Sequence, residues 1–264
     1  MFQRIGFIGT GNMGGAIAAA VAGQGRDILL CNRTPDKARV LADKLHARVG
    51  ENPQAAGECQ LIFLGVKPQM MAGMLGDIAP VLAAREDRFV LVTMAAGLSC
   101  QRIRELAGGD YPVIRIMPNT PCAIGVGVVQ VCGLGVTEVE FSAFEALMAP
   151  AGLIDRVDEK LIDAACAVSG CGPAFAYLFI EALADGGVAC GLPRDKALAY
   201  AAQMVAGSAR MVLDSGKHPG ALKDAVCSPG GTTIQGVRAL EEGGFRAAAM
   251  NAVIAAYEKT LELK

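Results

Sequence analysis

The chain has 264 residues, of which 53% are hydrophobic and 19% charged, with a formal net charge of −2. This composition is the reverse of that of a disordered chain, and it predicts a large buried core in one large or two medium domains. The near-neutral charge, without a long Lys/Arg run, excludes a typical nucleic-acid-binding surface. The nine cysteines form no C-x-x-C pair, which is typical of reduced thiols in a cytoplasmic protein and predicts no metal site.

Residues 1–158 alternate short apolar runs with helical patterns. The strand-like runs are Arg4–Ile8, Ile28–Cys31, Leu61–Val66, Phe89–Met94, Val113–Ile116, Val126–Cys132 and Leu153–Val157. The helical patterns are Asn12–Ala22, a helix that starts at Thr34-Pro35-Asp36, Pro68–Ala83 and Glu138–Met148. Strands that alternate with helices predict βαβ units and a parallel sheet.

After Asp158 the strand signals stop and six helical patterns follow, separated by Gly and Pro. They are Lys160–Val168, Ala174–Val188, Arg194–Leu213, Ala221–Val226, Thr233–Glu242 and Phe245–Leu263. The sequence therefore predicts an α/β protein: a Rossmann-type dinucleotide-binding domain over residues 1–158, then an all-α dimerisation domain over residues 159–264. Glycines interrupt both uncharged stretches, at residues 5–25 and 164–180, so we expect neither a signal peptide nor a membrane span.

A glycine-rich motif directly follows the first strand. Gly9-Thr10-Gly11-Asn12-Met13-Gly14 matches G-x-G-x-x-G and lies between Ile8 and a predicted helix. In this context the first glycine permits the tight turn, the second lets backbone approach a pyrophosphate, and the third lets helix and strand pack closely. The helix N-terminus supplies N–H groups and partial positive charge to the phosphates. We therefore expect residues 8–13 to bind a dinucleotide.

The second strand ends in Asn32 and Arg33, where a NAD-binding protein usually has Asp or Glu for the ribose hydroxyl. A guanidinium instead suits a 2′-phosphate, through paired, charge-assisted hydrogen bonds. The sequence thus favours NADPH as the cofactor, with NADH as an alternative cofactor. An alternative role for Arg33 is that of a solvated surface charge.

Two further segments follow the ends of predicted strands. Val66-Lys67-Pro68-Gln69 comes after the third strand-like run, and Ala95-Ala96-Gly97 after the fourth. Open α/β sheets bind ligands outside the carboxyl ends of their strands. We expect both segments to place backbone against the ribose and nicotinamide, although ordinary loops would have the same composition.

Two segments are candidates for the substrate site. Asn119 stands between two prolines after a strand end, and Ser228-Pro229-Gly230-Gly231-Thr232-Thr233 precedes a helix in the second region. Thr232 with Gln235 fits a capping box, and the two glycines leave the helix N-terminus bare for a carboxylate. If Thr232 caps the helix, Thr233 is left to contact the ligand. A plain inter-helix loop is the alternative.

The chain offers few groups for acid–base catalysis. His46 and His218 are the only histidines, both expected at the surface, and no Ser/His/Asp set or paired catalytic carboxylates are recognisable. Hydride addition to an iminium carbon suits such a site, since the substrate already carries the positive charge and a cofactor supplies the hydride.

Several motifs in order resemble those of the pyrroline-5-carboxylate reductase family over essentially the whole chain. They are Gly6–Gly14, Val66–Gln69, Ala95–Gly97, Met117–Pro121, Ser169–Phe175, Leu222–Asp224, Ser228–Thr233 and Leu240–Arg246. The Ser-Pro-Gly-Gly block with the trailing Gly-Gly-Phe-Arg is highly specific to this family. Cys171 and Cys227 depart from the small polar residues common there, which affects fine geometry and not the reaction class.

The resemblance implies reduction of 1-pyrroline-5-carboxylate to L-proline, the last step of proline biosynthesis. It also implies an interlocked homodimer through the helical domains, often assembled into a homodecamer. The substrate carboxylate would be bound at Ser228, Gly230, Gly231 and Thr232. Thr233 would lie near the ring nitrogen as proton donor or hydrogen-bond partner, and Asn52 would contact the cofactor.

Two other functions are compatible with parts of the pattern. A 3-hydroxyacid dehydrogenase of the β-hydroxyisobutyrate type shares the glycine-rich start and a helical second domain. That family carries a lysine after its Gly-rich helical segment, where this chain has Phe175-Ala176-Tyr177-Leu178. A non-catalytic NADP-binding sensor is the other, and the elaborate substrate segment argues against it.

Overall fold

The computed structural model describes residues 2–262, which form two compact units. The first unit contains the chain up to Cys171 together with its end from Ala256, and the second contains Gly172–Ala255. The sequence predicts a boundary after Asp158 instead. The difference is the chain end from Ala256 together with helix α7 (Ile162–Ser169), which belongs to the first unit because Ile162 and Cys166 pack into its core.

The first unit is built on a single sheet of eight strands in the order β3-β2-β1-β4-β5-β6-β7-β8. The strands are β1 Arg4–Ile8, β2 Asp27–Cys31, β3 Arg48–Gly50, β4 Leu61–Leu64, β5 Val90–Thr93, β6 Val113–Pro118, β7 Gly127–Leu134 and β8 Gly152–Arg156. The order β3-β2-β1-β4 means that the chain reverses direction across the sheet between β1 and β4. A dinucleotide-binding sheet has its crevice at such a switch point.

One strand pair departs from the predicted parallel sheet. β6 and β7 are antiparallel, with Arg115 opposite Cys132 and Met117 opposite Gln130. The cause is the connection, a 3-10 turn at Thr120–Ile124, since a parallel crossover needs a dozen or more residues. The other neighbouring strands in this sheet run parallel to each other.

Twelve helices lie in the described part of the chain. They are α1 Asn12–Ala22, α2 Pro35–Leu45, α3 Asn52–Glu58, α4 Pro68–Ala83, α5 Cys100–Ala107, α6 Glu138–Met148, α7 Ile162–Ser169, α8 Gly172–Ala189, α9 Arg194–Ser215, α10 Pro219–Ala225, α11 Thr232–Glu242 and α12 Phe245–Leu261. Residue 263, the predicted end of the last helix, lies outside the described residues.

The core of the first unit covers both faces of the sheet. Along β4, Leu61 and Phe63 belong to one apolar cluster, and Ile62 and Leu64 to the other. Side chains alternate between the two faces of a strand, so a sheet buried on both sides needs a continuous apolar run. The rings of Phe7 and Phe63 stack with centroids 4.5 Å apart on one face.

The second unit has a small core. Ala184, Ala197 and Ala201 are its buried cluster, where α8 packs on α9. Large apolar side chains remain exposed on the same two helices, among them Leu178 at 68% and Leu213 at 74%. By length and composition alone, the stretch Glu159–Ala189 could cross a membrane; here it comprises a 3-10 turn and the two helices α7 and α8.

Candidate functional site

The glycine-rich loop after β1 has the geometry that each glycine was predicted to provide. Gly9 has a φ of +98°, and a Cβ there would lie 2.6 Å from the carbonyl oxygen of Gly65. A Cβ on Gly14 would overlap the carbonyl oxygen of Gly9, whereas a Cβ on Gly11 would meet nothing within 4 Å. The loop is therefore tight on its inner side and open at Gly11, where a pyrophosphate can approach the backbone.

The N-terminus of α1 is prepared for an anion. Gly11 is its N-cap and makes no side-chain capping bond, and the first turn, with Asn12 and Met13, carries no acidic residue. The first N–H groups of such a helix have no intrahelical partner, and the helix dipole adds partial positive charge. Thr10 Oγ1 is also buried without a hydrogen-bond partner within residues 2–262. A bound phosphate would satisfy these donors.

Asn32 links the glycine-rich loop to the start of α2. Its Oδ1 accepts a hydrogen bond from the Thr10 amide at 3.4 Å, and its Nδ2 donates to the Thr34 carbonyl at 3.0 Å. The N–H of Gly9 donates to the carbonyl of Cys31 at 2.8 Å. These bonds hold the ends of β1 and β2 together, and the Asn32 side chain connects the glycine-rich loop to the start of α2.

A groove of about 880 Å³ runs along these strand ends, within the range of about 300–1,000 Å³ that ligand sites occupy. The predicted cofactor residues that line it are Ile8, Gly9, Thr10, Gly11, Asn32, Arg33, Asn52, Val66, Lys67 and Gln69. Asn52, expected from the resemblance alone, is the first residue of α3. The remaining predicted residues adjoin the groove's lining in sequence or follow the next strand: Asn12, Met13, Pro68, Ala95, Ala96 and Gly97.

Two cations lie at the end of the groove where β2 meets α2. Arg33 and Lys37 both line it, and neither forms a salt bridge among the residues that the structure describes. The sequence analysis missed Lys37, although its position in the first turn after the cap at Thr34 could have indicated it. Two positive charges at a helix N-terminus suit a phosphate group.

The loops after β4 and β5 continue the site, because these strands follow β1 in the sheet. Lys67 is the N-cap of α4 and makes no side-chain capping bond. After β5, Ala95 is buried and its amide donates to Thr93 Oγ1 at 3.3 Å, and Gly97 has a φ of +76°. Both loops thus lie at the carboxyl edge of the sheet, and their contact with the ribose and nicotinamide stays a prediction.

Asn119 is held by contacts within the first unit. Its Oδ1 accepts from the amide of Val128 at 2.9 Å, and its Nδ2 donates to the carbonyl of Ser169 at 3.0 Å. The residue is 8% exposed. Asn119 therefore connects the turn after β6 to β7 and to the end of α7. Because both polar atoms of its side chain already form hydrogen bonds, a substrate contact would use atoms that also make these bonds.

The segment before α11 corrects one prediction. The helix begins with Thr232, and its N-cap is Gly231, without a side-chain capping bond. The capping box of Thr232 and Gln235 is therefore wrong, because Thr232 is already inside the first turn. Gln235 Oε1 instead accepts from Arg238 at 3.2 Å.

The same segment presents a bare helix N-terminus. The N–H of Gly231 donates to the carbonyl of Ser228 at 3.0 Å, and Gly230 turns the chain with a φ of +69°. Thr232 and Thr233 are exposed, and no acidic residue occupies the first turn. The first N–H groups of α11 are thus available to a carboxylate.

The histidines are at the surface, as predicted. His46 ends α2 with a φ of 53°, and Nδ1 of His218 accepts the amide of Gly220 at the start of α10. Both are exposed. Burial raises the pKa of Cys31, next to the glycine-rich loop, to about 12, so its thiol stays protonated at neutral pH.

Comparison with known proteins gives one consistent family. The family model "Pyrroline-5-carboxylate reductase dimerisation" matches residues 159–263, and "NADP oxidoreductase coenzyme F420-dependent" matches residues 4–97. The pyrroline-5-carboxylate reductase of Glycine max is 42% identical over 98% of this chain and 95% of its own. That of Escherichia coli is 40% identical over 100% of this chain and 99% of its own.

Solved structures agree with these sequences. A pyrroline carboxylate reductase of Plasmodium falciparum, solved with NADP bound, is 32% identical, with a TM-score of 0.88 over 98% of this chain and 97% of its own. A 3-hydroxyisobutyrate dehydrogenase of Mycobacterium tuberculosis shares 17% identity and a TM-score of 0.54, which is a likeness of fold alone. The chain therefore belongs to the pyrroline-5-carboxylate reductase family.

Proposed function

We propose that this chain is an oxidoreductase that reduces 1-pyrroline-5-carboxylate to L-proline with NADPH. The observation that carries the proposal is the likeness to pyrroline-5-carboxylate reductases over the entire chain. The cofactor preference rests on the groove, where Arg33 follows β2 in place of the usual ribose-binding carboxylate and Lys37 lies nearby in the first turn of α2.

The first unit binds and orients the cofactor. The amides at the start of α1 hold the pyrophosphate, and the two cations hold the 2′-phosphate. Backbone after β4 and β5 supports the ribose and nicotinamide. The bound cofactor supplies a hydride, which the residues of this chain have no means to supply.

The start of α11 binds the substrate. The free backbone N–H groups of Thr232 and Thr233 hold the carboxylate, with Ser228, Gly230 and Gly231 shaping the turn before them. The hydride adds to the imine carbon, and the ring nitrogen, protonated in the iminium, becomes the amine of proline. The Thr233 hydroxyl hydrogen-bonds to that nitrogen and donates the proton when the imine binds uncharged.

The helical unit makes the enzyme a homodimer. Its exposed apolar side chains, such as Leu178 and Leu213, form a surface that a soluble chain normally buries against a partner. The match to a dimerisation family supports the same conclusion. We extend the proposal to a homodecamer in the cytoplasm without nucleic-acid or membrane partners; the nine unpaired cysteines fit a reducing compartment.

The function is tested by following NADPH oxidation with 1-pyrroline-5-carboxylate, and product formation as proline. We expect turnover with NADPH and a higher KM with NADH. The matched reaction is the oxidation of a 3-hydroxyacid with NADP⁺, which we expect to be undetectable, since helix α8, which contains Phe175–Leu178, has no lysine. Activity with the hydroxyacid alone, or NADPH binding without turnover of either substrate, would overturn the proposal.

A further inference from the structure

Two cysteines that are far apart in the sequence lie close together in the first unit. Cys100 is the first residue of α5, and Cys132 lies in β7. Their Sγ atoms and a carboxylate oxygen of Glu159 all lie within 4.8 Å of one another. The spacing of these residues in the sequence gave no sign of the cluster, which forms because β5, β6 and β7 are neighbours in the sheet.

Two charged groups, Arg115 and Glu159, accompany the pair of thiols. The Arg115 side chain stands opposite Cys132 in the β6–β7 register and is 3% exposed. Its Nη1 lies 3.6 Å from Glu159 and its Nη2 2.5 Å from Asp163, while its Nε is buried without a hydrogen-bond partner in residues 2–262. Glu159 in turn accepts the amide of Cys100 at 2.7 Å. The Glu159 carboxylate therefore lies within reach of both thiols, and the Arg115 cation stands opposite Cys132 in the sheet.

The unequal exposure of the thiols, 7% for Cys132 and 1% for Cys100, divides two roles between them. A hydrogen bond from Cys100 lowers the pKa of Cys132, while the same hydrogen bond and then burial raise the pKa of Cys100. By contrast, burial raises the pKa of both Cys31 and Cys59 to about 12. Since the thiolate is the nucleophile, Cys132 is suited to attack and Cys100 to resolve.

We propose that Cys132 and Cys100 form an oxidation site that takes a hydroperoxide and closes to a disulfide. The Cys132 thiolate attacks one peroxide oxygen, the O–O bond breaks, and the leaving oxygen departs as hydroxide or alkoxide. The Cys132 sulfenic acid that results is attacked by the Cys100 sulfur, which loses its proton. One water leaves, so the two thiols are oxidised and one peroxide is reduced.

The site restricts the oxidant by size. Cys100 is 1% exposed and Cys132 is 7% exposed, whereas the side chain of Glu159 at the rim is 36% exposed. We expect hydrogen peroxide to pass this rim and glutathione disulfide to be excluded by its size. The closed disulfide, with sulfurs about 2.05 Å apart, links the start of α5 to β7.

The same donors could hold a thiophilic cation such as Zn²⁺, since thiolates and a carboxylate are zinc ligands. The Arg115 guanidinium beside Glu159 opposes a second positive charge there. The observations therefore favour oxidation, and metal binding is an outcome that the experiment has to exclude.

The test uses the full-length, reduced enzyme, first assayed for zinc by elemental analysis. It is exposed to increasing hydrogen peroxide, alkylated, digested without reduction, and mapped by mass spectrometry. We expect a peptide pair cross-linked through Cys100 and Cys132, which reducing agent reverses, and little of it with glutathione disulfide at equal oxidising equivalents. Cys132→Ser is expected to lose the cross-link, and the matched variant Cys190→Ser, at an exposed position, to keep it.

If Cys132→Ser folds poorly, the cross-link map of the wild-type enzyme is sufficient to test the proposal. Cys132 that remains open to alkylation while Cys190 is oxidised would overturn the proposal. So would pairing of Cys132 with Cys122, an equally rapid cross-link with glutathione disulfide, or stoichiometric zinc that blocks the cross-link until it is chelated.

Discussion

The two units of this chain handle apolar surface in opposite ways. In the first, the sheet is buried on both faces, and β4 and β5 have no exposed residue. In the second, α11 has no buried residue in the single chain, and side chains such as Leu178 and Leu213 are exposed. The first unit therefore buries its apolar surface within one chain, whereas the second leaves apolar helix surface exposed, which agrees with its match to a dimerisation family.

The largest effect is expected from breaking the apolar surface of the second unit. Leu178→Glu places a charge on α8 where we propose the dimer contact, and burying an unpaired charge is strongly unfavourable. We expect a monomer by sedimentation and a loss of activity of about 100-fold, since misplacing reacting groups by about 1 Å has an effect of that size.

The matched control is Val40→Glu, on an exposed position of α2 in the first unit (59% exposed). It adds the same charge and is expected to leave the dimer and the activity intact. A folded, fully active monomer of Leu178→Glu would contradict the contrast between the two units.

A smaller effect is expected at the cation-lined end of the groove. Arg33→Asp replaces a 2′-phosphate partner with a repelling charge, and a hydrogen bond to a charged group contributes about 1.5–3 kcal/mol. We therefore expect the KM for NADPH to rise by about 10- to 100-fold, with little change for NADH. Arg39→Asp, which removes only a surface pair with Asp36, is the control, and equal changes for both cofactors would refute the role of Arg33.

The smallest effect concerns the packing of the first unit. Arg88 bonds both carboxylate oxygens of Glu140, which also receives the amide of Thr137 at the start of α6. Glu140→Gln is expected to lower the free energy of unfolding by about 2 kcal/mol, measured by urea denaturation at fixed protein concentration. Glu138→Gln, in an exposed pair with Arg156, should change it by less than about 0.5 kcal/mol.

The effect of Glu140 also has a defined pH dependence. Arg88 lowers the pKa of its carboxyl from 4.5 to about 2, so the folded state binds its proton less readily than the unfolded state. The stabilisation is complete above about pH 4.5 and is lost as the pH falls towards 2. Wild type and Glu140→Gln should therefore converge in stability in acid, and a constant difference down to pH 2 would contradict the assignment.

The sequence predicts elements well where local signals are strong. The bounds of α1, α4 and α6 agree with the structure, because each helix has a clear start and an amphipathic or apolar run. The glycine-rich loop was also predictable, since each glycine meets a local steric demand. Helix α5 was not predicted, although the sequence shows signals for both of its ends. Ser99 is the N-cap, whose hydroxyl accepts the amide of Arg102, and Gly108 is the C-cap.

Other features depend on distant parts of the chain. β3 has only three residues, with no fully buried side chain, so its apolar pattern is too weak to recognise. The reversed direction of β7 depends on the turn after β6. The contact between Cys100 and Cys132 depends on the order of the strands in the sheet. At α11, a one-residue shift of the helix start removed the predicted cap at Thr232, because boundaries are less certain than elements.

The account is tested most directly by a crystal structure of the enzyme with NADP⁺ and L-proline. We predict the pyrophosphate on the amides at the start of α1, and the proline carboxylate on the amides of Thr232 and Thr233, with the ring nitrogen within hydrogen-bond distance of the Thr233 hydroxyl. A proline carboxylate bound elsewhere, with the start of α11 in contact with solvent alone, would contradict the account.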